Sequence, residues 1–78
     1  MHATYDLHPD AAAANQLVGL PASQVERELI LATLHATHGN RTHAAAILDI
    51  SIRALRYKLR DYASDGIAIP ASGENEAH

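Results

Sequence analysis

Residues 24 to 38 carry apolar side chains on too many sides for a helix that only one small domain covers. At about 100° per residue, Val25, Leu29, Ala32 and Ala36 share one face, Ile30 and Leu34 lie on another side, and Leu31 falls on a third. A helix apolar nearly all round is normally buried nearly all round. The chain has 78 residues, and a domain of that size shields only about 60% of the surface its unfolded chain exposes. Val25, Leu29, Ile30, Leu31 and Leu34 are therefore expected to meet a second subunit. The alternative is that the N-terminal segment folds back over them.

Composition narrows what else can stabilise the fold. With no cysteine there is neither a disulfide nor a thiolate ligand. No apolar run approaches the ~18 residues of a membrane span, and MHATYDLHPD lacks a basic stretch followed by an apolar one. The sequence reads as soluble and cytoplasmic, with no membrane partner.

Punctuation divides the chain into three helices. Ser23 with Glu26 has capping-box spacing, which predicts a helix from residue 24 to residue 38, ended by Gly39. Thr42 is the expected cap of a short helix over residues 43 to 48, whose Ala44, Ala45 and Ala46 suit close crossing by a neighbour. Ser51 opens a third helix, from residue 52 to about residue 64, in which Ile52, Leu55, Leu59 and Tyr62 form one core-facing stripe. A short helix around residues 10 to 18 is also expected. Residues 1 to 20 read as a flexible N-terminal segment or linker, 21 to 66 as the folded domain, and 67 to 78 as a disordered acidic tail.

The formal net charge is −3, which taken whole argues against a polyanionic partner, but the charge is unevenly placed. Between residues 41 and 62, Arg41, Arg53, Arg56, Lys58 and Arg60 stand against Asp49 and Asp61, a local balance of +3. Elsewhere Arg27 stands against Asp6, Asp10, Glu26, Glu28, Asp65, Glu74 and Glu76, a balance of −6. Local charge governs attraction to a polyanion. On the third helix Arg53, Arg56 and Arg60 fall within about 60°, with Tyr57 beside them. A solvated basic face is the plain reading. Against it, arginine supplies the planar fork that grips guanine or phosphate, and a short helix and a tight turn, Asp49-Ile50-Ser51, lead into this helix. That order is the helix-turn-helix arrangement.

Residues 25 to 62 resemble the Fis-type helix-turn-helix domain at the C-terminus of sigma-54-dependent, NtrC-like transcription activators, most of all the flagellar activators of that family. The matching residues are Val25, Glu26, Leu29, Ile30, Leu31, Gly39, Asn40, Thr42, Ala44, Ala45, Leu48, Ile50, Ser51, Leu55, Lys58, Leu59 and Tyr62. The resemblance implies an all-α domain that dimerises through its long first helix and sets the last helix of each subunit in successive major grooves of double-stranded DNA, associated with the nucleoid. It implies DNA-facing positions at Ser51, Ile52, Arg53, Ala54, Arg56, Tyr57, Lys58 and Arg60, with Arg53, Tyr57 and Arg56 nearest base edges. Arg41, Thr42, Lys58, Arg60 and the N-terminus of the short helix are implied as phosphate contacts. Two positions depart from the family pattern. Asp49 stands where glycine is usual in the turn, and Ala54 where threonine is common.

No GxxxxGK[ST] loop is present, so no ATPase is expected in this chain, and sigma-54 RNA polymerase would be a partner only through other domains. A stand-alone Fis-like nucleoid protein remains an alternative, as does a dimerisation or protein-interaction module that binds no DNA. His35, His38 and His43 crowd into nine positions, but the H-E-x-x-H pattern is absent. They read as exposed histidines at a helix corner; no metal, cofactor or catalytic residue is implied.

Overall fold

The computed structural model describes residues 14–72, and among these it contains three helices and no strand: α1 (Ala22–Ala36), α2 (Arg41–Leu48) and α3 (Ile52–Ser64). The all-α architecture is the expected one. Of the short helix expected over residues 10 to 18, residues 10 to 13 lie outside the described part. Over the rest, residues 14 and 15 are helical and residues 16 to 19 form turns, with hydrogen bonds from the Leu17 N–H to the Ala14 carbonyl at 2.9 Å and from the Val18 N–H to the Asn15 carbonyl at 3.3 Å.

The starts of α1 and α2 differ from the sequence expectation. α1 begins after Pro21, whose φ of −60° already suits a helix and whose missing N–H would be unpaired there in any case. The Pro21 carbonyl accepts from Gln24 at 3.0 Å and Val25 at 3.2 Å, which leaves Ser23 inside the first turn with no capping bond. At α2 the cap is Asn40, not Thr42: its side chain accepts the His43 N–H at 2.8 Å, and its carbonyl accepts from Ala44 at 2.9 Å. The third cap is where it was expected, with Ser51 Oγ accepting the Ala54 N–H at 2.9 Å.

All three helices stop in the same way. At each end one N–H reaches back five residues and the preceding N–H reaches back three, which satisfies two carbonyls of the last turn. The pairs are Gly39 to Leu34 and His38 to His35, Ile50 to Ala45 and Asp49 to Ala46, and Ile67 to Tyr62 and Gly66 to Ala63. The motif needs a residue in the left-handed region, and the residues there are His38 (φ 55°), Asp49 (φ 59°) and Gly66 (φ 83°). Gly39, expected to be the stop signal of α1, follows His38 and is also left-handed at φ 85°. Thr37 fastens this corner from inside. It is buried, and its hydroxyl is 3.2 Å from both the Leu34 and the Asn40 carbonyls.

α2 is the middle element and packs on both neighbours. The core takes Ile30 and Leu34 from α1, Ala44 and Ala45 from α2, and Leu55 and Leu59 from α3, with Leu31, Leu48, Ile50, Ile52, Tyr62 and Ile69 at its margin. Small side chains at positions 44 and 45 let the two larger helices pack closely on α2, while Ala46 stays exposed. Leu34 and Leu55 are fully buried, and truncating such a side chain to alanine typically costs about 2–5 kcal/mol.

Two expectations about surfaces are corrected by this core. Ile30 and Leu34, expected at a subunit interface, are used inside the chain itself, at 2% and 0% exposure. Leu31 also packs against the core. What α1 leaves outside is Ala22, Leu29, Ala32, Ala36 and, half-buried, Val25. The C-terminal segment, expected to be disordered from residue 67, instead returns to the domain over residues 67 to 72. Ile67, Ile69 and Pro70 are half-buried there because Ile69 finds the core margin and the Pro70 carbonyl accepts from Arg41 at 3.0 Å. Residues 73 to 78 lie outside the described part.

Candidate nucleic-acid interface

α3 is held from one side and open on the other. Leu55 and Leu59 are buried, and Tyr62 and Ile52 flank them. By helical spacing the side chains at 53, 56, 57 and 60 must then point away from the core, and all four are exposed. Ile52, Arg53, Arg56, Tyr57 and Arg60 together line an open concavity of about 580 Å³. None of the three arginines has an ion pair or side-chain hydrogen bond among the described residues. Tyr57 is 68% exposed, a large aromatic surface to leave in water on a helix with a well-filled core side.

The remaining candidate residues are arranged differently. Ser51 is exposed and spends one of its two oxygen lone pairs on the Ala54 N–H, and Ala54 is half-buried behind it. Thr42 is exposed in the first turn of α2. Lys58 lies on the opposite flank of α3 from Arg56 and Arg60, where its Nζ donates to Glu26 Oε1 of α1 at 3.1 Å. Arg41 is half-buried. Its Nη1 donates to the Gly39 carbonyl at 2.9 Å and its Nη2 to the Pro70 carbonyl at 3.0 Å, so the guanidinium clasps the α1–α2 corner to the C-terminal segment. The sequence gives no sign of either arrangement, because the partners lie 32 and 29 residues away along the chain.

The flank of α3 that meets α1 carries its own electrostatics. Burial, helped by the nearby Glu26 carboxylate and opposed by Lys58, holds the Tyr62 hydroxyl above its ordinary pKa of 10.0. The histidines of the α1–α2 corner are exposed at positions 35, 38 and 43. Among the described residues no three histidine, aspartate or glutamate side chains come together as a metal-holding group, and no helix is long and apolar enough to cross a membrane.

A short helix with a thin alanine side, a turn of three residues and a second helix that offers unpaired arginines to solvent define a helix-turn-helix DNA-binding domain. The comparisons with known proteins agree. Residues 21–62 match the family described as bacterial regulatory protein, Fis family, and the chain belongs to that family. It is 51% identical over 59 residues, 76% of its length, to the transcriptional regulatory protein FlbD of Caulobacter vibrioides. It is 48% identical over 42 residues, 54% of its length, to the regulatory protein AtoC of Escherichia coli. Identity to the DNA-binding transcriptional regulator NtrC of Azospirillum brasilense is 41% over 54 residues, 69% of the chain. The matches cover only 13%, 9% and 11% of these relatives' own lengths. No solved structure matches.

Proposed function

We propose that the chain binds double-stranded DNA sequence-specifically as a homodimer, serving transcription regulation as the enhancer-binding domain of a sigma-54-dependent activator. The observation that carries this reading is the face of α3, where Arg53, Arg56, Arg60 and Tyr57 are exposed on a helix fixed from behind by Leu55 and Leu59. In a major groove such a face sets arginine forks against base edges and phosphates. Thr42 at the start of α2 and Arg60 further along α3 are the phosphate contacts. Contact with sigma-54 RNA polymerase belongs to other domains.

The apolar side of α1 supports the dimer. Ala22, Val25, Leu29, Ala32 and Ala36 share one face, Leu29 is 57% exposed, and an open concavity of about 690 Å³ is lined by Ala22, Ser23, Val25, Glu26 and Leu29. A second copy of the same helix covers this surface and presents two α3 helices, so half-sites should recur about one helical turn of DNA apart, roughly 34–36 Å.

Selection of DNA from a random pool by the purified chain, followed by titration over a range of salt concentrations, tests the reading. An enriched near-palindrome whose affinity falls steeply as salt rises is expected, because each neutralised phosphate releases counterions. Leu29→Glu should give a monomer by sedimentation and lose the palindrome before it loses weak general DNA binding. A pool without enrichment would refute sequence-specific binding, and a monomer at micromolar concentration with wild-type DNA recognition would refute the dimer.

A further inference from the structure

The DNA-reading face proposed above has a narrow chemistry, and resting on that reading we propose that its target half-site presents guanines, at neighbouring base pairs, to Arg53 and Arg56. The long polar side chains on the exposed face of α3 are three arginines and one tyrosine. Arginine donates and cannot accept. None of the chain's asparagines or glutamines lies on α3, and its carboxylate, Asp61, comes in the third turn, about 80° round the helix from Arg53. Ser51 Oγ is turned to the Ala54 N–H. Lys58 is drawn off to Glu26 on the far flank. Tyr57 Oη is therefore the acceptor that the first two turns hold out to the groove.

Base edges respond differently to such a face. Guanine shows two acceptors side by side, N7 and O6, which one guanidinium fork satisfies together. Adenine shows an acceptor beside a donor and calls for asparagine or glutamine; cytosine shows a donor and calls for a carboxylate. Thymine offers O4 alone, one acceptor for one N–H, so guanine is the base that occupies both arms of an arginine fork. Within the arginines, the recognition helix of this motif touches bases with its N-terminal residues, which selects Arg53 and Arg56 over Arg60. They are separated by about 4.5 Å along the helix axis, close to one base step of about 3.4 Å, so the two forks address adjacent or next-adjacent pairs. Tyr57, next to Arg56 in the chain and 68% exposed, lies against the base beside these guanines.

The test uses the DNA that the chain itself selects from a random pool. Guanine-to-adenine change at either contacted position should weaken binding about 5- to 150-fold. Replacing that guanine by 7-deazaguanine, which lacks the N7 acceptor, should weaken binding about tenfold. Inosine, whose major-groove edge is that of guanine, should leave it unchanged. Arg53→Ala and Arg56→Ala should each abolish discrimination at one position only. Arg53→Lys, which keeps the charge, should lose discrimination with an unaltered salt slope. A selected half-site with A·T pairs at the contacted positions, or arginine variants that weaken all sequences equally, would overturn the guanine assignment while leaving sequence-specific binding intact. A pool without any enrichment would overturn both.

Discussion

Asp49 and His38 hold backbone conformations that glycine adopts with less strain, at φ 59° and 55°. A left-handed conformation costs an ordinary L-residue roughly 1–2 kcal/mol, less for aspartate and asparagine. The third helix shows the relaxed version of the same stop, with Gly66 in that place. Asp49 also sets a carboxylate at the end of α2, where the helix dipole disfavours negative charge. Asp49→Gly should therefore stabilise the domain by about 0.5–1 kcal/mol after the greater freedom of glycine in the unfolded chain is counted. For a domain of this size that raises the melting temperature by several degrees, about 4–8 °C per kcal/mol. His38→Gly should act in the same direction, and a fall in melting temperature for both variants would refute the account of the two corners. Tyr62 gives a second prediction at this scale. Its hydroxyl titrates above 10.0 in the folded chain, chiefly because it is buried. The folded state thus holds that proton more tightly than the unfolded state, so the tyrosine's share of stability is intact below pH 10 and is lost as pH rises through the raised value. Denaturant unfolding at pH 9 and at pH 11 should show a smaller loss for Tyr62→Phe than for the native chain.

Among the elements, α3 was the most legible in sequence, and the reason is that its local and long-range signals coincide. Ser51 has no rival cap, the Ile52, Leu55, Leu59, Tyr62 stripe has one direction, and Gly66 ends it. The starts of α1 and α2 are ambiguous in sequence because two capping solutions compete within two residues. Pro21 displaces Ser23, and Asn40, a slightly better cap than threonine, displaces Thr42. The choice at α2 is forced by the preceding corner, since Thr37 and Gly39 fix the chain direction before residue 40, and nothing in a capping pattern contains that. The difference can be measured. Ser51→Ala and Asn40→Ala should each cost about 1 kcal/mol, because each leaves a first-turn N–H without its partner. Ser23→Ala, which removes no capping bond, should stay within about 0.5 kcal/mol. Equal losses at all three positions would mean that α1 starts at Ser23 after all.

At the scale of the whole molecule, the charge asymmetry of the sequence points to the exposed face of α3 and overstates how many cations lie there. Five basic residues between 41 and 62 read as one surface, but the fold divides them: three remain on the open face of α3, Lys58 ties α3 to α1, and Arg41 ties the α1–α2 corner to the segment after α3. Sequence spacing can group side chains on one helix; it cannot say which cations the fold itself consumes. Arg41 separates the two roles experimentally. As a clasp it makes two charge-assisted hydrogen bonds in a half-buried place, and Arg41→Ala should cost about 1–2 kcal/mol after allowance for solvent, releasing residues 67 to 72. The salt dependence of DNA binding should not change, since no phosphate contact is removed. Arg60→Ala should do the reverse, leaving stability nearly unaltered and flattening the slope of log affinity against log salt by about 0.9 for each subunit that loses one phosphate contact. If Arg41→Ala flattens the slope while the melting temperature holds, the clasp opens on DNA and Arg41 returns to the interface that its charge first suggested.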